Sequence, residues 1–266
     1  MKDERFTSGQ LGAFADELRA ALVFLTRLPP SLIGADPAVR PDFTVAARVF
    51  PIVGALIGVL GGLALTAASL IGLPAFLVAG LGVATTVLIT GALHEDGLAD
   101  SADSFGGITR DAKLAIMDDS RIGTYGALAL IASVLLRVAA LAAIVPHGVV
   151  VAALALVAGE AVSRTAMVRM WHDLPAARTA GLSNETGTPD YGATVVALAF
   201  AAVIVVVTAF PALGWRPTAL ASVLAIGAAY GAIRLTANTL GGRTGDTLGA
   251  CQQLTLAAFL IGAAVV

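Results

Sequence analysis

The sequence predicts an all-α fold: a polytopic bundle of about seven transmembrane helices in a single domain covering residues 1–266, preceded by an amphipathic helix. Three observations predict it. Charged residues make up 13% of the chain and hydrophobic ones 58%, where a soluble domain carries about 25% charge. Long stretches are free of charge. Lys and Arg are sorted between alternate loops.

Val49–Leu93 contains no Asp, Glu, Lys, Arg or His. Ile122–Gly159 holds only Arg137 and His147, Tyr191–Ala232 only Arg216, and Thr247–Val266 none. Cut into pieces of about 20 residues, the length that crosses a bilayer's hydrocarbon, these runs give spans at roughly 49–72, 74–93, 124–145, 148–168, 192–212, 218–240 and 247–266. Each must be a helix, because hydrocarbon offers no partner to backbone amides. Gly72-Leu73-Pro74, Pro146-His147-Gly148 and Gly214-Trp215-Arg216-Pro217 supply the turns. Ahead of the spans, Leu11–Leu28 alternates apolar and charged positions at helical spacing; too charged to cross, it is expected to lie on the membrane. Met1–Gln10 lacks the basic and apolar blocks of a cleavable signal, so the first spans direct insertion.

With the N-terminus in the cytoplasm, every Lys and Arg falls inside except Arg216, which is outside, and Arg137, within a span; Arg164, close to the inner end of the fourth span, is counted with the inside group. The carboxylates follow, Glu160 alone being within a span. The acidic site is therefore expected at the cytoplasmic face. A net charge of −2 says little about partners, no basic tract points to nucleic acid, and the single Cys251 excludes an internal disulfide or a cysteine metal cage.

Asp96, Asp100 and Asp103 follow the second span at i, i+4 and i+7, on one face of a helix. Like charges stacked at the mouth of a span repel, and a divalent cation with a taste for carboxylate oxygen, Mg²⁺, resolves the conflict; a solvated acidic helix end is the alternative. A loop and short helix (Asp111–Met117) lead to Asp118-Asp119-Ser120-Arg121-Ile122-Gly123-Thr124-Tyr125-Gly126. A second acid there suits displacement at phosphorus with two metals, while Ser120 is equally suited to cap the next helix. Glu160 and Arg164, i and i+4 within a span, mark either a functional site or a mutually neutralising pair. Gly241-Gly242-Arg243-Thr244-Gly245-Asp246-Thr247-Leu248-Gly249-Ala250 sets one carboxylate among glycines that could cradle phosphate, or is a turn with a capping Asp. Arg48 and Arg137 are candidate partners for phosphate or carboxylate. His94, at the membrane boundary, has a pKa range suited to a general base. Residues 182–190 read as a polar loop that could serve as a lid.

At these residues the sequence resembles the cobalamin synthase family, also called adenosylcobinamide-GDP ribazoletransferase. The resemblance runs nearly end to end: Phe24-Leu25-Thr26-Arg27-Leu28-Pro29, Phe50-Pro51-Ile52-Val53-Gly54, His94-Glu95-Asp96-Gly97-Leu98-Ala99-Asp100 with Asp103, Asp119 to Gly126, and Gly245 to Ala250. It implies a multi-pass enzyme of a bacterial inner membrane that joins α-ribazole, or its 5′-phosphate, to adenosylcobinamide-GDP. The products are adenosylcobalamin, or its 5′-phosphate, and GMP, with Mg²⁺ as cofactor. It implies Asp96, Asp100 and Asp103 as metal ligands and His94, Asp119 and Asp246 as catalytic groups. Arg48, Ser120, Arg121, Glu160, Arg164 and Gly245 would contact substrate or phosphate. Whether the enzyme forms a homo-oligomer or associates with other enzymes of the pathway is left open. The chain departs from the family pattern at Glu95, commonly apolar, at Asp118, commonly basic, and at Leu256, often Glu.

Two other classes compete. A CDP-alcohol phosphatidyltransferase also sets aspartates at a membrane face, but with a Gly and an Ala-Arg pair between the acids that this chain lacks. A cation-coupled transporter places ionisable groups near the midplane of internal repeats, whereas here the acids gather on one side.

Overall fold

The protein, described in a computed structural model over residues 3–35, 42–178 and 187–265, is helical throughout those residues apart from turns and one isolated bridge. The helices are α1 (Asp3–Leu25), α2 (Pro30–Ile33), α3 (Phe43–Ala46), α4 (Phe50–Leu70), α5 (Ala75–Thr90), α6 (Leu93–Asp103), α7 (Arg110–Met117), α8 (Thr124–Ile144), α9 (Val149–Asp173), α10 (Tyr191–Val207), α11 (Ala209–Leu213), α12 (Trp215–Leu240) and α13 (Gly245–Ala263). Of the 182–190 loop, residues 182–186 lie outside the described residues; Asp190 caps α10 by accepting the N–H of Ala193 at 2.6 Å.

Lipid does not drive apolar helices together, so close backbone approach has to hold them. Gly54, Gly58 and Gly62 recur every fourth residue on α4 and face α9. A Cβ on Gly58 would lie 2.6 Å from the α-carbon of Val157, one on Gly62 3.0 Å from the side chain of Ala153, and one on Gly54 would collide with the carbonyl of Glu160. Gly262 brings α13 against Ala221 of α12 in the same way, 2.5 Å from its α-carbon. Helices α9 and α13 are buried along most of their length. Around them Leu65, Val83, Leu141, Ile144, Leu156 and Phe259 form one core.

Five stretches are long and apolar enough to cross a membrane: Phe43–Leu70, Thr124–His147, Val149–Asp173, Tyr191–Leu213 and Trp215–Leu240. Counting α5 with α6 makes six, so the expected seven are not reached. Two reasons are visible. Helix α5 has only 16 residues, and α13 carries Gln252 and Gln253, both buried, which lower its mean hydropathy. That helix needs little lipid-facing surface because other helices cover it.

The acidic segment does not continue the second span either. Gly91 (φ 63°) and Ala92 (φ 57°) are both left-handed, and the axis turns by 89° between α5 and α6. Glycine adopts that conformation freely, whereas alanine does so at a cost of about 1–2 kcal/mol. Helix α6 thus leaves the span and runs across the end of the bundle.

The N-terminal helix begins earlier than its apolar pattern suggested, and its last turns pack on protein. Ala21 and Leu25 are fully buried with Phe43, Phe50 and Trp171. The rings of Phe24 and Phe43 lie 4.7 Å apart, those of Phe43 and Trp171 5.6 Å.

Candidate active site

Helices α6 and α13 meet backbone to backbone. A Cβ on Gly97 would lie 2.7 Å from the carbonyl oxygen of Asp246, and one on Gly249 3.2 Å from the α-carbon of His94. These two glycines set Asp96 and Asp100, one residue before and three after Gly97, beside Asp246. Asp96 is exposed, Asp100 and Asp246 half-buried. Burial, with the neighbouring charges of Asp246, Asp96 and Asp103, pushes the Asp100 carboxyl up to about 6. Asp246 does not cap its helix: Thr244 does, accepting from Thr247 N at 3.2 Å, while the Thr247 hydroxyl receives Thr244 N at 2.9 Å. The Asp246 carboxylate accepts from the Thr244 hydroxyl at 3.2 Å. Gly245, exposed, opens the same helix.

Asp103 is turned elsewhere. Its two oxygens accept the N–H groups of Gly123 (2.7 Å) and Gly126 (2.8 Å), capping α8 in the role the sequence offered to Ser120. Ser120 is exposed in the preceding loop. There Arg121 binds Asp119 through two guanidinium nitrogens, at 2.6 and 3.0 Å, and holds the Asp119 carboxyl down at about 2. Among the described residues no three His, Cys, Asp or Glu side chains converge closely enough to enclose a metal.

Two cations at this end went unremarked in the sequence. Arg178 pairs with Asp118, donates to the carbonyl of Leu114 at 3.0 Å, and lies near enough to Asp246 to act on its charge. Arg110 bridges the carbonyl of Leu240 (2.7 Å) and that of Ala177, tying α7 to the end of α12. The bridge between Ala176 and Arg243, with Arg243 N donating to Pro175 O at 2.8 Å, holds the chain after α9 against the α12–α13 turn. No sequence spacing links these groups, and Arg178 is one of many cations on the inner side, so nothing in the sequence singled it out.

Other expected site residues lie apart. His94 points about 200° around α6 from Asp96 and is 2% exposed, with Arg137, Arg164, Glu95 and Glu160 around it. Glu160 and Arg164 pair with each other within α9, fully buried, so the mutual-neutralisation reading describes their contacts. Arg137 meets a carboxylate, that of Glu95 at 3.0 Å; Gln253 donates to the same oxygen at 3.0 Å and accepts from Ser133 at 3.0 Å. Gln252 extends this network to Ser163, at 3.0 Å. Arg48 binds Glu17 of α1 through two nitrogens, at 2.7 and 2.8 Å. Leu256 is core, its Cδ1 3.0 Å from where a Gly159 Cβ would stand.

A helical, multi-spanning membrane protein with crowded carboxylates at one end of its bundle is the class these observations define. The cobalamin-5-phosphate synthase model matches residues 17–264, and the chain belongs to that family. Relatives named adenosylcobinamide-GDP ribazoletransferase are 43% identical in Azorhizobium caulinodans, covering 92% of this chain and 94% of the relative. In Brucella anthropi the figures are 45%, 81% and 84%, and in Allorhizobium ampelinum 41%, 92% and 94%. No solved structure matches the chain.

Proposed function

We propose that the chain catalyses the nucleotide-loop assembly step of cobalamin synthesis. Adenosylcobinamide phosphate passes from adenosylcobinamide-GDP to α-ribazole, or its 5′-phosphate, and GMP is released. Family membership and the names of the relatives support the reaction. The observation that carries the chemistry is the crowding of Asp96, Asp100 and Asp246; burial, together with those neighbouring charges, raises the Asp100 carboxyl to about 6. Clustered anions at that position suit a hard dication more than a solvated helix end. Mg²⁺ is commonly held by one or two carboxylates together with substrate phosphates, so a closed protein cage is not required. Asp96 and Asp100 would hold it, and its contribution is to neutralise charge on the diphosphate.

The remaining chemistry belongs to side chains. The ribazole hydroxyl oxygen forms a bond to the phosphorus that bears cobinamide, the bond from that phosphorus to GMP breaks, and GMP leaves with the electron pair. Of the three candidate bases, Asp246 stands beside Asp100 and is spared capping; Asp119 is held by Arg121 at about 2, a poor proton acceptor, and His94 is enclosed. Asp246 therefore takes the hydroxyl proton in this scheme. Arg178, already close to Asp246, meets the diphosphate, exchanging its Asp118 partner for substrate. Asp103 contributes by fixing the start of α8. The sorting of Lys and Arg supports a cytoplasmic position for this end.

The test is purified protein supplied with adenosylcobinamide-GDP and α-ribazole, with and without Mg²⁺. GMP release that needs Mg²⁺ is expected, and no GMP in either condition overturns the assignment.

A further inference from the structure

A groove of about 740 Å³ runs between α10 and α12, with α9 as its floor, on the outer surface of the bundle. Its walls are mostly apolar, with Ala202 and Val205 on one side, Ile226 and Ile233 on the other, and Val162 and Ala166 beneath. One end alone is charged. There Arg169 is neutralised by Asp173, at 2.7 Å, whereas Arg234 is exposed, lies 6.0 Å from the ring of Tyr230, and has no carboxylate partner among the described residues. From Val162 to Asp173 the floor rises about 16 Å at 1.5 Å per residue, close to half of a hydrocarbon core of about 30 Å. The groove therefore has the length of one leaflet and a single uncompensated cation at the depth of its headgroups.

We propose that this groove binds one anionic phospholipid from the leaflet on the carboxylate side, its acyl chain along α9 and its phosphate on Arg234. The apolar walls suit a hydrocarbon chain. The cancelled Arg169–Asp173 pair leaves one positive charge, which a phosphodiester of one negative charge balances; a zwitterionic headgroup adds a second cation beside Arg234. This site is separate from the carboxylates, since Arg234 precedes the end of α12 by six residues, and it stands or falls independently of the proposed reaction.

Native mass spectrometry of the full chain released from detergent, titrated with phosphatidylglycerol or phosphatidylcholine, tests it. One phosphatidylglycerol per chain is expected, preferred by about fivefold, the preference one surface cation provides. Arg234→Gln, at an exposed position, should bring that preference to about one, and Ala202→Trp, at an exposed position of the groove wall, should block retention of either lipid. Inorganic phosphate should not displace the bound lipid. An unchanged preference in Arg234→Gln, or unchanged retention in a folded Ala202→Trp protein, overturns the proposal. So does displacement by inorganic phosphate, or a lipid-free dimer that Ala202→Trp separates.

Discussion

The carboxylate of Asp103 accepts the main-chain N–H of Gly126 at 2.8 Å, joining the end of the acidic helix to the start of α8. The third acid of the stripe is thus engaged in holding two helices at a fixed angle, while Asp100 remains with Asp96 and Asp246. Replacing Asp103 by Ala should lower stability by about 1–2 kcal/mol, the usual loss for an N-cap, read as a lower melting temperature in detergent. Asp100→Asn should abolish GMP release with no such loss. Similar melting temperatures for the two variants would count against this division of roles.

The raised pKa of Asp100 gives a pH dependence with a definite sign. A carboxyl raised from 3.8 to about 6 in the folded protein contributes stability that is fully present below 3.8 and is lost as pH rises through about 6. Asp100→Asn should therefore raise the melting temperature of ligand-free protein at pH 8 more than at pH 5. In the wild type, kcat/KM should fall tenfold per pH unit below about 6, as the metal-binding carboxylate becomes protonated. Asp119, at about 2, is ionised throughout that range, so Asp119→Asn should leave the limb in place.

Gly97→Ala inserts a methyl group 2.7 Å from the Asp246 carbonyl. Neither backbone can yield locally, so α6 and α13 must separate and the carboxylates with them. Displacement of reacting groups by about 1 Å costs on the order of 100-fold in rate, and kcat should drop by that much while the protein still folds, as followed by GMP release and circular dichroism.

Glu95 and Arg137 are paired at 3.0 Å, each almost wholly buried. Removing one partner strands the other's charge. Arg137→Met or Glu95→Leu alone should cost about 3–5 kcal/mol, and the double variant should recover most of it, measured by denaturant unfolding in micelles. A double variant as unstable as the sum of the singles would contradict this pairing.

Much of the architecture was legible because charge is expensive in hydrocarbon: the uncharged runs locate α4, α8, α9, α10 and α12, with ends that differ by at most about five residues. The stripe of Asp96, Asp100 and Asp103 likewise announces α6. What the sequence conceals is where partners come from. Asp103 finds Gly123 and Gly126 across a loop, Glu95 finds Arg137 and Gln253 at separations of 42 and 158 residues, and Arg178 reaches Asp118 across 60. None of these distances carries a periodic signal. The turn after α5 was hidden for a different reason, since it relies on Ala92, a residue that ordinarily extends a helix. The last helix, α13, lies where the uncharged run placed it, but Gln252 and Gln253 are covered by protein and not by lipid.

That turn has an electrical consequence. With its axis swung 89° from that of α5, α6 runs across that helix, so where α5 stands along the bilayer normal Asp96 and Asp100 occupy nearly one depth in any transmembrane field. An ion crossing the full potential gains or loses about 2.3 kcal/mol per 100 mV, but a phosphate sliding along α6 does almost no work against it. Energised and de-energised membranes should therefore support the same turnover.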